Sequence, residues 1–192
     1  EVRDWWSGLF KELIEDIGVK GVWNDMNEPA VMEVPNKTFP NDVRHDYDGN
    51  PCSHRKAHNI YGMQMARATY HGLKKYSYPK RPFVITRAAY SGTQRYTSTW
   101  MGDNVATWEH LWIANNQAQR MAMSGFSFAG SDIGGFAEQP QGELFARWIQ
   151  LGIFHTFCRV HSSGDHGDQE PWVFGDEITD IVRKFIELRY QL

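Results

Sequence analysis

Gly18-Val19-Lys20-Gly21-Val22-Trp23-Asn24-Asp25-Met26-Asn27-Glu28-Pro29 is the stretch from which the architecture can be read. Gly18 punctuates, Val19 to Trp23 is a short, largely apolar run, and two carboxylates and two amides follow at once. A run of this length without in/out alternation fits a strand buried on both faces, as in a parallel sheet covered by helices. Upstream, Trp6, Phe10, Leu13 and Ile17 recur at helical spacing, so one helix feeds one strand.

Further along, the unit repeats. Pro29, Pro35, Pro40, Gly49 and Pro51 mark a long polar loop, and Ile60, Met63, Ala66, Tyr70 and Leu73 trace the next helix. Phe83 to Thr86 and Tyr96 to Trp100 read as strands. A helix through Trp108, Leu111, Trp112, Asn115 and Ala118 leads to a strand at Phe126–Ala129 and a small polar turn at Gly130–Gly135. Leu144, Phe145 and Trp148 predict a helix, Ile153 to Cys158 a strand and Arg159 to Gly175 a loop. Ile178, Val182, Phe185 and Leu188 predict a closing helix.

Alternating helices and apolar strands define an α/β fold. Every unusual polar cluster falls at a strand's carboxyl end, where (β/α)₈ barrels carry their active groups; a doubly wound sheet is the competing architecture. A complete barrel takes eight strands and about 250 residues. Five strands in 192 residues predict the C-terminal portion, about five βα units, of a (β/α)₈ TIM barrel. Residues 1–192 are then one partial catalytic domain excerpted from a longer chain, and in isolation it would expose barrel edges. The opening EVRDWW, without initiator Met or signal-peptide pattern, accords with an excerpt.

Bulk properties narrow the function. A 41% hydrophobic, 14% aromatic chain can bury a core without disulfides, and a net charge of -3 from 20 basic and 23 acidic residues provides no field for nucleic acid or anionic membranes. No apolar run approaches the roughly 20 residues of a membrane span. Cys52 and Cys158 form no CxxC pair and read as free thiols. His161-Ser162-Ser163-Gly164-Asp165-His166-Gly167-Asp168 matches neither H-E-x-x-H nor a calcium loop, and Gly134-Gly135 lacks G-x-G-x-x-G. No metal and no cofactor is expected, and the aromatic residues suit sugar faces and core packing.

Two acids draw notice. Asp25 follows a buried strand directly, and Asp103, in Trp100-Met101-Gly102-Asp103-Asn104, sits beside an aromatic and a glycine. Cleaving an acetal takes a proton on the leaving oxygen and a negative group facing an oxocarbenium-like centre, so carboxylates at two strand ends suit glycoside hydrolysis. The plainer reading is that each caps a helix or closes a turn.

Four ordered motifs, WNDMNEP, TRxxYSGTQRYxxxWMGDN, FAGSDIGGF and FCRVHSSGDHGDQEPW, resemble glycoside hydrolase family thirty-one over nearly the whole chain. The resemblance implies a retaining mechanism with Asp25 as nucleophile and Asp103 as general acid/base. It implies a sugar-binding set of Trp23, Met26, Arg87, Trp100, Asp132, Phe136, Arg159 and His161, with Glu28 in a supporting role. An oligosaccharide or glycoside is the implied substrate, with terminal α-linked glucose released. α-Xylosidase, transglycosylase and a non-catalytic carbohydrate-binding barrel are the alternatives. Met101 departs from the Thr or Ser common before the Gly-Asp pair.

Overall fold

The computed structural model describes residues 1–192. They form two compact units, Glu1–Thr99 and Trp100–Leu192.

In the first unit the expected opening helix is two: α1 (Val2–Gly8) and α2 (Lys11–Glu15). Gly8, a poor helix former, ends α1, and the intervening turn resets the buried face. Phe10 and Ile14 consequently point inward, while Leu13 and Ile17 are exposed. Strand β1 (Gly21–Asn24) carries the decisive stretch. The long loop after it contains a small antiparallel hairpin, β2 (Arg44–His45) with β3 (Cys52–Ser53). Its Asp48-Gly49 tip, with positive φ at Tyr47, Asp48 and Gly49, is the turn signal that the proline-rich context obscured.

Helix α3 (His54–Tyr76) starts six residues before the first apolar position read from the sequence. It packs on α1, where Trp6 Nε1 donates to Thr69 Oγ1 (2.9 Å) and Ser7 Oγ to the Ala68 carbonyl (2.8 Å). Strand β4 (Phe83–Thr86) pairs in parallel with β1, from Gly21↔Phe83 to Asn24↔Thr86. Strand β5 (Ser98–Trp100) pairs in parallel with β4 through Ile85↔Ser98 and Thr86↔Thr99. Phe10, Ile14, Leu73 and Val84 form the buried core under this sheet. Each such large apolar side chain contributes about 1.5–3 kcal/mol on burial.

The second unit holds α4 (Trp108–Met123), β6 (Ala129–Gly130), β7 (Asp132–Ile133), α5 (Gly142–Gly152), β8 (Arg159–Val160) and α6 (Asp176–Gln191). The Thr107 hydroxyl caps α4 by accepting from the His110 amide at 3.1 Å. Strands β7 and β8 pair in parallel, Asp132↔Arg159 and Ile133↔Val160. The strand expected at Ile153–Cys158 is not one. Ile153 caps α5 from inside the core, and the amides of Phe154 and His155 turn back to Leu151 and Gly152. An apolar run of this length is equally at home at a buried helix exit, so periodicity misplaced the strand, which follows at Arg159. Trp148, Phe145, Ile133 and Val182, each at most 1% exposed, centre the core between β7, α5 and α6.

Candidate active site

The parallel register brings the first set of side chains together. Because Asn24 is level with Thr86, the next residues, Asp25 and Arg87, leave their strands side by side, and the Arg87 amide donates to the Asn24 carbonyl at 3.1 Å. The Arg87 guanidinium grips Glu28 bidentately, Nε to Oε1 at 2.7 Å and Nη2 to Oε2 at 3.1 Å. Its Nη1 lies 3.2 Å from Asp25 Oδ1, and Nη2 also meets the Met26 sulfur at 2.7 Å. Met26, in the left-handed region at φ 57°, turns its own amide onto Asp25 Oδ1 at 2.8 Å.

Two positive or donating groups thus fix one oxygen of Asp25, while its side chain remains 40% exposed and reachable. The guanidinium beside Glu28 holds that carboxyl below the usual carboxylate range, outweighing the opposing effect of burial. Glu28 therefore stays ionised and is ill suited to donate a proton. Buried Asn27 staples the two loops, its Nδ2 donating to Thr86 Oγ1 (2.8 Å) and its Oδ1 accepting from the Ala88 amide (3.0 Å). Trp23, two residues before Asp25, has a half-open indole, 40% exposed.

The second unit gathers the others. Level in the β7–β8 register, Asp132 and Arg159 form an ion pair, Nη2 to Oδ1 at 2.6 Å, with Asp132 wholly buried. The Arg159 guanidinium stacks 5.4 Å from the Trp100 ring and 5.3 Å from that of Phe157. Trp100 itself is 3% exposed, a floor beneath Arg159 more than an open wall. Asp103 is exposed in the loop between β5 and α4. Its neighbour Asn104 ties that loop to the following turn, donating to the Asp132 carbonyl and accepting from the Phe136 amide, both at 2.9 Å.

Phe136 and His161 pack ring against ring at 5.4 Å. The turn that presents Phe136 needs Gly135: at φ 96°, a Cβ there would stand 2.5 Å from the Ala106 nitrogen. Residues 163–169 strap this turn down. Ser163 N and His166 Nε2 donate to the Phe136 carbonyl (2.8 and 3.1 Å), and Gln169 Nε2 donates to that of Gly135 (2.9 Å).

Asp25, Met26 and Arg87 are thus one cluster, Trp100, Asp132 and Arg159 a second, and Phe136 with His161 a third. Sequence reasoning missed the roles of Asn27, Asn104, His166 and Gln169, whose partners, mostly backbone groups, lie far off in the chain where no spacing rule reveals them. Cys52 and Cys158 are both free, and burial pushes the Cys158 thiol up, keeping it protonated.

The family described as Glycosyl hydrolases family 31 TIM-barrel domain matches residues 1–192. The chain belongs to glycosyl hydrolase family 31. It is 47% identical over 191 residues to "Alpha-glucosidase 2" of Bacillus thermoamyloliquefaciens, covering 100% of this chain and 24% of that protein. It is 42% identical over 192 residues to "Glucosidase 2 subunit alpha" of Saccharomyces cerevisiae, covering 97% of this chain and 20% of the relative. A crystal structure of a glucosidase II alpha subunit bound to alpha3-Glc2 superimposes with a TM-score of 0.91 at 40% identity, covering 98% of this chain and 20% of that one. A Flavobacterium johnsoniae family 31 dextranase complexed with glucose gives 0.84 at 34% identity over 100% of this chain and 24% of its own. The family 31 segment therefore spans about a fifth to a quarter of the length of these relatives, and the α/β segment is a portion of a TIM barrel.

Proposed function

We propose that the protein is a retaining α-glycosidase that releases terminal α-linked glucose from oligosaccharides, with Asp25 as nucleophile and Asp103 as general acid/base. The observation that carries this reading is the preset geometry at Asp25: one oxygen is bound by Arg87 and the Met26 amide, and the carboxylate stays open to solvent. A nucleophile so held gives up little orientational freedom when a sugar arrives. Relatives named as alpha-glucosidases supply the glycone, and the dextranase among the similar structures marks linkage as the variable feature.

In the first step, protonated Asp103 donates to the glycosidic oxygen while ionised Asp25 attacks the anomeric carbon, giving a glycosyl-enzyme and free aglycone. Asp103 then deprotonates water, which attacks the same carbon and restores the α configuration; retention calls for carboxyl groups about 5–5.5 Å apart. Trp23, Met26 and Phe136 supply apolar surface for the sugar faces, and the buried Trp100 supports Arg159 from beneath. Arg87, Arg159 held by the buried Asp132, and His161 supply hydroxyl contacts. Glu28 keeps Arg87 in place.

The full-length protein is expected to hydrolyse a chromogenic α-glucoside and Asp25→Ala to abolish turnover. Asp103→Ala should spare substrates with activated leaving groups relatively more than poor ones, since these need less proton donation. Proton NMR of the first-formed sugar should record the α anomer before mutarotation. An initial β anomer, or full activity in Asp25→Ala, rules the assignment out.

A further inference from the structure

Three residues close to Asp25 and Arg87 in the chain form a closed ring of hydrogen bonds. Asn27 Oδ1 accepts from the Ala88 amide at 3.0 Å, and Asn27 Nδ2 donates to Thr86 Oγ1 at 2.8 Å. The Thr86 hydroxyl completes the ring by donating to the Ala88 carbonyl at 3.1 Å. Asn27 is 1% exposed and Thr86 wholly buried, so no bulk water stands by to replace a lost partner.

Two members of the ring have fixed roles: the Ala88 N–H only donates and the Ala88 carbonyl only accepts. The Asn27 atom facing that N–H must be its oxygen, which turns the amide nitrogen toward Thr86. The Thr86 hydroxyl accepts from that nitrogen, and its single proton goes to the Ala88 carbonyl. Closing the ring at position 27 therefore takes a donor and an acceptor on one short planar group. A carboxylate of the same size has no donor, and an aliphatic side chain has neither.

The ring brackets one residue of the active cluster. Thr86 and Ala88 flank Arg87, whose own amide donates to the Asn24 carbonyl at 3.1 Å. Three successive residues at the exit of β4 are thus tied to residues 24–27 by direct hydrogen bonds. The Thr86 carbonyl in turn accepts from Thr99 Oγ1 on β5 at 2.9 Å, and the Gly62 carbonyl of α3 lies 3.5 Å from Asn27 Nδ2. Backbone freedom at Arg87 is removed from both sides, which sets the direction in which its side chain leaves β4. A long side chain amplifies a small turn of its backbone, so the 3.2 Å approach of Arg87 Nη1 to Asp25 Oδ1 depends on that direction.

We propose that Asn27 and Thr86 are positioning residues: their ring fixes the backbone at Arg87, and Arg87 in turn holds Asp25 Oδ1 and leaves Oδ2 to attack the anomeric carbon. The proposal rests on the reading of Asp25 as nucleophile and deepens it. Neither Asn27 nor Thr86 is exposed enough to touch a sugar, so both act through Arg87.

The test uses the full-length protein and measures kcat per folded molecule on a chromogenic α-glucoside. Thr86→Val keeps the shape of the side chain, removes the hydroxyl and leaves the bond between Asn27 and Ala88 in place. It is expected to lower kcat about 10-fold, and Asn27→Leu, which removes two sides of the ring, about 100-fold, on the scale of a misplacement near 1 Å. Thr86→Ser returns the hydroxyl and should recover most of what Thr86→Val loses. The route through Arg87 is read from a double-mutant cycle with Arg87→Lys. In that background Asn27→Leu should cost no more than about 2-fold, because the group it positions is already altered.

Wild-type kcat per folded molecule in Thr86→Val and Asn27→Leu, equal losses in Thr86→Val and Thr86→Ser, or additive losses in the cycle would each overturn the proposal. Should Asn27→Leu fail to fold, or the doubly changed enzyme be too slow to measure, the comparison of Thr86→Val with Thr86→Ser decides. An inactive wild type, or an active Asp25→Ala, defeats the parent reading instead; an active wild type with dead Asp25→Ala and normal Asn27 and Thr86 variants defeats this inference alone.

Discussion

Gly62→Ala is a substitution that ordinary helix rules favour and this structure does not. In a helix interior, alanine is better than glycine by about 1 kcal/mol. Here the new Cβ would lie 2.6 Å from Ala88 Cβ, 2.8 Å from the Asn27 oxygen and 2.9 Å from the Ala88 oxygen. None of these atoms belongs to a flexible side chain. Restoring an ordinary 3.4 Å contact with Ala88 Cβ needs a displacement of about 0.8 Å, the difference between 3.4 and 2.6 Å. Overpacking of this kind costs about 1–3 kcal/mol, so after the propensity gain the net loss of stability is about 0–2 kcal/mol. Catalysis should suffer more, because Asn27 and Ala88 flank Glu28 and Arg87, and a misplacement near 1 Å costs about 100-fold in rate. The expected result is a stability loss of no more than about 2 kcal/mol in denaturant unfolding, with kcat/KM reduced about 10–100-fold on a chromogenic α-glucoside. A variant that is more stable than wild type and equally active would refute the claim that α3 braces the Asp25 and Arg87 loops through Gly62.

Glu28→Gln should lower kcat/KM about 10–100-fold at neutral pH by loosening Arg87. The carboxyl is held below its usual range, so its contribution is present above the ordinary glutamate value and is lost as pH falls through the depressed one. The wild-type advantage over Glu28→Gln should therefore shrink in acid; a ratio constant across the pH profile would contradict this. Arg159→Met leaves the wholly buried Asp132 without its ion-pair partner and should cost about 3–5 kcal/mol in denaturant unfolding, with Asp132→Asn in the same protein restoring part of it. Equal stability of the single and double variants would count against a buried charge at that position.

The run ending at Trp23 was legible as a strand because it is short, apolar and punctuated by Gly18, but the expected burial on both faces does not hold, since Val22 is half-buried and Trp23 exposed. The split between α1 and α2 was not legible, since the stripe from Trp6 to Ile17 looks continuous until Gly8 shifts the phase. The Ile153–Cys158 error has the same root: apolarity records burial, and helix exits are buried too. Among the expected site residues, Asp25 and Arg87 directly follow β1 and β4, whereas Arg159 opens β8 because the strand expected before it is a helix exit. Glu28's grip on Arg87 was hidden because a 59-residue separation in the chain closes only once β1 and β4 pair. Likewise, the 2.9 Å contact of His45 with His54 depends on a hairpin that the prolines around it masked.

The register between β1 and β4 has an engineering consequence. Asp25 and Arg87 meet because their strands end level, so sliding one strand by a single residue would turn a whole row of side chains to the opposite face. Deletions within Gly21–Asn24 or Phe83–Thr86 should accordingly abolish the proposed activity. The hairpin tip lies outside that alignment, but exchanging its sequence would break the ion pairs of Asp48 with Arg3 and Arg67 and the packing of Lys56 on Tyr47, so insertions are better placed at the exposed Gly49-Asn50.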